Sequence, residues 1–214
     1  PRGGGAESGL AYAVADRPEG PFVRSPEPVH RVSAQPAVLG KYRRSYAATL
    51  IRRERDWMVV FMMDSGPHFS WALFGITAPR PEGPYSAPVM LRNVEADYYY
   101  PMLLEAYPAF THEGFVYTPA TSVALNRNYQ ALLRAPIEQA MEPEAWELVQ
   151  DGSVWHADPK PNEHYGIWGQ TFSAFVDGDS TLQAMFPSRN AEGMGTINWA
   201  SRPWDQPYRK QGFT

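Results

Sequence analysis

The chain contains no cysteine. Disulfide frameworks, thiolate metal sites and cysteine nucleophiles are therefore excluded. No apolar run approaches the roughly 18 to 20 residues that a membrane helix needs, so no membrane partner is expected. A basic excess is lacking too. Nineteen lysines and arginines face 23 acids, for a net charge of −4 and a pI near 5.7. Nucleic-acid binders usually carry a basic footprint, so no nucleic-acid partner is expected either. Charged residues make up only 20% of the chain and hydrophobic ones 43%, which argues against a long solvated disordered segment. There is no Gly-rich phosphate loop, no GxSxG and no HExxH.

What the chain does have is turn formers and rings. Its 214 residues include 17 glycines and 21 prolines, and 14% are aromatic. This composition points to an all-β protein. The length suits a single domain over residues 1–214. The first residues, Pro1 to Gly5, carry no initiator methionine and no apolar leader. The first strand pattern, Leu10 to Ala15, reads as the second half of a unit, so an upstream piece is expected to be missing. The lack of cysteine suits a bacterial periplasmic, secreted or cytoplasmic protein equally.

An internal repeat organises the rest. Arg17 to Phe22 reads RPEGPF, and RPEGPY recurs at Arg80 to Tyr85. Weaker copies end at Pro136 (ALLRAP) and Tyr208 (INWASRPWDQPY). Three of the four copies follow a hairpin pattern of alternating apolar runs around a turn. The turns fall at Arg55-Asp56, Glu113-Gly114 and Asp177-Gly178. Four antiparallel strands per unit, recurring every 55 to 67 residues or so, is the arithmetic of a β-propeller. A sandwich or jelly roll would explain the strands but leave the repeated turn unexplained. The expected blade fragments run about 9–35, 44–91, 103–150 and 168–210. A short helical turn is expected within Ile137 to Leu148, interrupted at Pro143.

In a propeller the innermost strand of each blade lines the central funnel. Those strands open near Ser45-Tyr46, Leu104-Glu105 and Gly169-Gln170. Tyr46, Tyr98, Tyr100, His156, Trp168, Gln170 and Arg189 are the expected substrate-binding residues around them. Aromatic faces with planar polar groups suit sugars, whose C–H faces stack and whose hydroxyls need partners. A carbohydrate is therefore the expected substrate. Glu105 stands in an apolar stretch, PMLLEAYPAF. Burial there would keep its carboxyl protonated near neutral pH, as a general acid for a glycosidic oxygen requires. The competing reading is a buried structural glutamate paired with an arginine such as Arg134.

On these residues the chain resembles the five-bladed β-propeller glycoside hydrolases of family 43 and its relatives, families 32, 62, 68 and 117. The RPEGPF/Y turn is similar to the turn closing the third strand of their blades. Glu105-Ala-Tyr-Pro-Ala-Phe-Thr-His-Glu-Gly-Phe-Val-Tyr resembles the segment that carries their general acid, including a glycine nine positions on, here Gly114. GTINWASRPWD resembles a late-blade strand and turn. The resemblance implies a five-bladed propeller without its N-terminal part, a glycosidase, and Glu105 as the acid. It also implies a base aspartate that would lie upstream of Pro1.

The chain departs from the pattern where the family places a pKa-modulating aspartate, since Ser45, Tyr46 or Ala47 stands there. Asp64, at the far end of the next strand, reads as a poor substitute; Asp97 and Asp158 are other loop carboxylates. The departure supports a second reading, a non-catalytic carbohydrate-binding or scaffold propeller. A phosphorylase would need a cluster of basic residues that the sequence does not offer.

The remaining groups have plainer expectations. His156 and His164 lack a metal-ligand spacing. No cofactor and no metal ligand is expected, and no calcium-loop pattern accompanies the Asp177-Gly178 turn. Arg43-Arg44 and Arg52-Arg53 read as solvated charges, and the methionine-rich WMVVFMM as core. An incomplete propeller would leave blade edges open to another chain.

Overall fold

A computed structural model describes residues 8–31, 44–64, 71–93, 103–106, 108–124, 127–150, 173–189 and 195–205. It is all-β, with antiparallel pairing in every sheet. The first element is an interrupted hairpin of four short strands: β1 (Gly9–Leu10), β2 (Ala13–Val14), β3 (Val23–Arg24) and β4 (His30–Arg31). β2 pairs with β3 and β1 with β4. Backbone hydrogen bonds bridge the interruptions, from Ser25 N–H to the Tyr12 carbonyl at 2.8 Å and from Val29 N–H to that of Leu10 at 2.9 Å.

Three larger sheets follow. The first runs β5 (Arg44–Arg52), β6 (Trp57–Asp64), β7 (Trp71–Ala78), β8 (Val89–Asn93), each strand beside the next. The second contains β9 (Leu103–Ala106), β10 (Phe110–His112), β11 (Phe115–Ala124), β12 (Arg127–Pro136) and β13 (Glu147–Gln150). β9 and β10 both pair with β11, on one edge, and so act as one strand broken around Pro108. Proline cannot donate to a ladder, which accounts for the break. The third sheet holds β14 (Ser173–Val176), β15 (Thr181–Arg189) and β16 (Gly195–Pro203). Two 3-10 turns, Ile137–Gln139 and Pro143–Ala145, separate β12 from β13, where the short helical turn was expected.

The repeated motif forms the same turn twice. The Gly20 and Gly83 N–H groups each donate to the carbonyl of the arginine three residues back, both at 2.9 Å. Both glycines have positive φ, 82° and 95°, which side-chain-bearing residues seldom adopt.

Burial explains why these units stack. In β6, Val59, Phe61 and Met63 pack with Ala72, Phe74 and Ile76 of β7 against Leu10 and Val29 of the hairpin. The alternate residues Met58, Val60 and Met62, with Ile51, Leu73 and Leu91, face Val116, Leu133, Ala135 and Trp146 of the second sheet region. The other side of the second sheet, Phe110, Tyr117 and Leu132, packs on Ala174, Leu182 and Ala184 of the third. The first and second sheets are thus covered on both faces. A two-sheet sandwich would cover only one face of each. Among the described residues no sheet closes on itself, and no helix is long and apolar enough to cross a membrane.

Polar links join neighbouring units. Thr49 Oγ1 accepts from the Ala109 N–H at 2.8 Å, and an Arg92 guanidinium N–H donates to the Trp146 carbonyl at 2.7 Å. Arg53 is not a solvated charge. Its side chain is only 11% exposed, grips both carboxylate oxygens of Asp56 at 2.7 and 2.6 Å, and reaches the Glu138 carbonyl at 3.3 Å.

Candidate functional site

Antiparallel hairpins bring the end of a second strand back beside the beginning of the first. In the first sheet this places Asp64 opposite Arg44, with Ser45 opposite Met63. In the second it places Glu105 of β9 opposite Thr121. In the third, Arg189 closes β15 four residues beyond Met185, the partner of Ser173 at the start of β14. Asp64, Glu105 and Arg189 thus share the end at which the inner strands open. Asp64, at the far end of β6, is returned by the hairpin to the opening of β5.

Two of the three inner strands, β5 and β9, are irregular at this end. In β5, Tyr46 pairs with Met62 and Thr49 with Val60, so two residues oppose Phe61 alone. One of them, Ala47, has a φ of 51°, in the left-handed region. In β9, Glu105 pairs with Thr121 while Leu103 pairs with Ser122, so Leu104 is the extra residue. Bulges re-aim neighbouring side chains and concentrate near active sites. A non-glycine residue at positive φ needs its surroundings to hold it there.

Tyr46 is 37% exposed, and the Arg44 guanidinium carbon lies 5.8 Å from the centre of its ring. The two residues are i and i+2 on one strand, which puts them on a common face. The arrangement is a cation–π pair at the opening of β5. It offers an aromatic surface beside a five-donor hydrogen-bonding group. The Ser45 N–H between them donates to Ser8 Oγ at 3.0 Å, tying the opening to the first hairpin.

Arg134, the arginine named above as a structural partner for Glu105, makes an ion pair with Glu147. Arg134 donates through Nε to Glu147 at 2.6 Å, and its guanidinium lies 4.6 Å from the Phe115 ring centre. The hydrogen bond to Glu147 is the main reason its pKa is raised. Tyr98, Tyr100, His156, Trp168 and Gln170 lie outside the described residues, as do His164, Asp97 and Asp158. Among the described residues no three histidine or carboxylate side chains are grouped to hold a metal ion. A cleft lined by Arg53, Glu54, Arg55, Asp56 and Glu138 lies at the β5–β6 turn, the opposite end of the sheet from Arg44. Arg53 and Asp56 satisfy one another there, and the Glu138 carboxylate accepts from the Glu54 backbone N–H at 3.0 Å.

The signals that sequence reading missed are the bulge at Ala47 and the return of Asp64. Nothing in Tyr46-Ala47-Ala48-Thr49 announces a bulge. The position of Asp64 follows from the hairpin, and counting ladder positions back from the Arg55-Asp56 turn would have found it.

The assembly has the fold of the family-43 glycoside hydrolases. It is similar to the crystal structure of an endo-arabinase from Bacteroides thetaiotaomicron, with a TM-score of 0.58 and 13% identity, over 96% of this chain and 68% of that one. It is also similar to a thermostable family-43 glycoside hydrolase, with a TM-score of 0.60 and 13% identity, over 89% of this chain and 62% of that one. The chain spans from about half to about two-thirds of the length of the first four structures it matches. No protein-family model matches the sequence, and no curated protein sequence does.

Proposed function

We propose that the chain belongs to a five-bladed propeller that hydrolyses glycosidic bonds in an oligo- or polysaccharide, with Glu105 as general acid. The observation that carries this reading is the place of Glu105. It lies on the first strand of the second sheet, beside a bulge, at the end where the inner strands open. That end is where a propeller presents its funnel. The likeness to family-43 enzymes supports the sheet arrangement but not the chemistry, since one fold hosts many functions.

In this reading the Glu105 carboxyl gives its proton to the leaving glycosidic oxygen. A second carboxylate would then activate water on the opposite face of the sugar, or attack the anomeric carbon itself. Asp64 is the described carboxylate at the same sheet end. Tyr46 would stack on a sugar face while Arg44 donates to its hydroxyls. Tyr98, Tyr100, His156, Trp168, Gln170 and Arg189 would complete the wall. Arabinan is the first polymer to offer, because a structural neighbour is an endo-arabinase.

The test is Glu105→Gln assayed on aryl arabinosides, aryl xylosides and arabinan oligosaccharides. Removing a general acid should lower kcat by about 10²- to 10⁴-fold on unactivated substrates. Activated aryl leaving groups should suffer less, because they need the proton less. Unchanged turnover would remove Glu105 from the reaction.

A second reading, a carbohydrate-binding propeller without catalysis, is favoured by one observation. Strand β5, RSYAATLIR, carries no carboxylate. Saturable sugar binding by the unmodified protein, without turnover of any substrate, would select it.

A further inference from the structure

We propose that His30 is an acid-sensitive latch, through which protonation undocks the β1–β4 hairpin from the first sheet and loosens the opening of β5. The inference does not depend on the sugar-cleaving reading. It starts from a buried imidazole. His30 is 8% exposed, and its Nε2 is buried without a hydrogen-bond partner. The ring centre lies 5.4 Å from that of Phe61, and the backbone pairs with Leu10.

Among the described residues, those packed around that ring are apolar, and His30 Nε2 bonds none of them. On this side the sheet contributes Val59, Phe61 and Met63 from β6, Ala72, Phe74 and Ile76 from β7, and Met90 from β8. None can carry charge. Tyr85, also packed there, has its hydroxyl engaged with the Pro81 carbonyl at 2.7 Å. On the hairpin itself Arg31 turns outward, 44% exposed, to a salt bridge with Glu27. An imidazolium would therefore lack a counter-charge among the described residues packed on it, the costly arrangement for a buried ion. Burial is also what holds the His30 pKa below the ordinary histidine value.

The hairpin is the element such a penalty can move. Its four strands have two residues each, and Val14, Phe22 and Val23 are 50 to 68% exposed. Among its described residues only Leu10 and His30 are buried, with Val29 partly buried against the sheet. Elements with so little buried surface open at low free energy, without global unfolding. Two further ties would break on opening. One is the exposed hydrogen bond from the Tyr12 hydroxyl to Glu82, at 3.2 Å. The other is the bond from the Ser45 N–H to Ser8, next to Tyr46. The second tie connects the latch to the candidate site.

The sign follows from linkage. In the undocked state His30 has its ordinary pKa of about 6.5, and in the docked state a lower one. Above that pH neither state binds the proton and docking is at full strength. Below it the undocked state binds the proton first. Docking then weakens by up to about tenfold per pH unit until the docked pKa is reached.

The experiment is amide hydrogen exchange on the full chain at pH 7.5 and 5.0, corrected for intrinsic rates. Peptides covering 8–31 are compared with peptides covering β6. The expected result is a hairpin opening that grows severalfold to about 30-fold at the lower pH, with β6 unchanged. In His30→Leu the opening should no longer depend on pH. Equal hairpin protection at both pH values overturns the proposal, as does an unaltered pH dependence in His30→Leu. Should the variant not fold, NMR titration of the His30 ring in the unmodified protein decides. A midpoint well below about 6.5 sustains the latch, and one at or above it overturns the latch.

Discussion

The first complete sheet and the third are built on the same hairpin plan, yet they present different surfaces. In β6 both alternating sets of side chains are buried, with Met58, Phe61 and Met63 fully enclosed. In β15 only one set is buried: Leu182 and Ala184 are covered, whereas Met185 is 43% exposed. Trp199, opposite Met185, is 57% exposed, and Phe175 is 47% exposed. The strand sequences already differ. WMVVFMMD is a continuous apolar run, the mark of a strand covered on both sides, while TLQAMFPSR interrupts its run with Gln183. Large apolar residues contribute to stability only where a neighbouring sheet removes them from water. Place in the stack thus decides what each apolar side chain is worth.

The sharpest way to break this comparison is a pair of truncations at related strand positions. Phe61→Ala should destabilise the protein by about 3–5 kcal/mol, through lost burial and the cavity left between hairpin and sheet. Met185→Ala should change stability by no more than about 0.5 kcal/mol, as exposed substitutions generally do. Urea midpoints of the two variants measure the contrast. A large loss in Met185→Ala would mean that this face of the third sheet is covered in solution.

The same contrast explains how much could be read from the chain. The core strand β6 was legible because its apolar run is unbroken, and the turns because they repeat almost letter for letter. The position of Glu105 on a strand was legible for the same reason: it stands a fixed distance before the Glu113-Gly114 turn. The geometry of the candidate site was less so. The bulge at Ala47 has no signature in side-chain chemistry, since neither alanine favours positive φ. Arg53 was mistaken for a solvated charge because its grip on Asp56 needs the turn between them to be closed. The break at Pro108 follows from proline's missing N–H, a signal the sequence does carry.

The two copies of the repeated turn sharpen the comparison at a smaller scale. Gly83 and Gly20 share positive φ and the same backbone hydrogen bond. An added Cβ would meet the Tyr85 backbone nitrogen at 3.2 Å in one copy and that of Phe22 at 3.0 Å in the other. The local strain is thus similar, about 1–3 kcal/mol in each. Its global effect should differ. Gly83→Ala lies in the turn that joins β7 to β8 of the first sheet and should lower overall stability by most of that amount. Gly20→Ala lies in the hairpin, which can open by itself, so its global loss should stay below about 1 kcal/mol. Hydrogen exchange would show the missing part as faster opening of residues 8–31 alone. Equal global losses would mean that the hairpin unfolds together with the sheets.

The smallest effect concerns the aromatic residue that ends each turn. Phe22 is 63% exposed, whereas Tyr85 packs against the core with its hydroxyl donating to Pro81 at 2.7 Å. Burial first, then the charges of Tyr12 and Glu82, push the Tyr85 pKa up to about 12. The unfolded chain has the ordinary value of about 10. The phenol's contribution is therefore complete below pH 10, and it falls as pH rises toward 12, because the unfolded state gives up its proton first. Tyr85→Phe loses the hydrogen bond but also this alkaline sensitivity. The stability gap between the variant and the unmodified protein should accordingly narrow above pH 10. In an absorbance titration of the folded protein, Tyr85→Phe should remove a tyrosine that ionises near 12. If the tyrosine removed instead ionises near 10, the ring is no better shielded than its counterpart in the first turn, and burial does not separate the two copies.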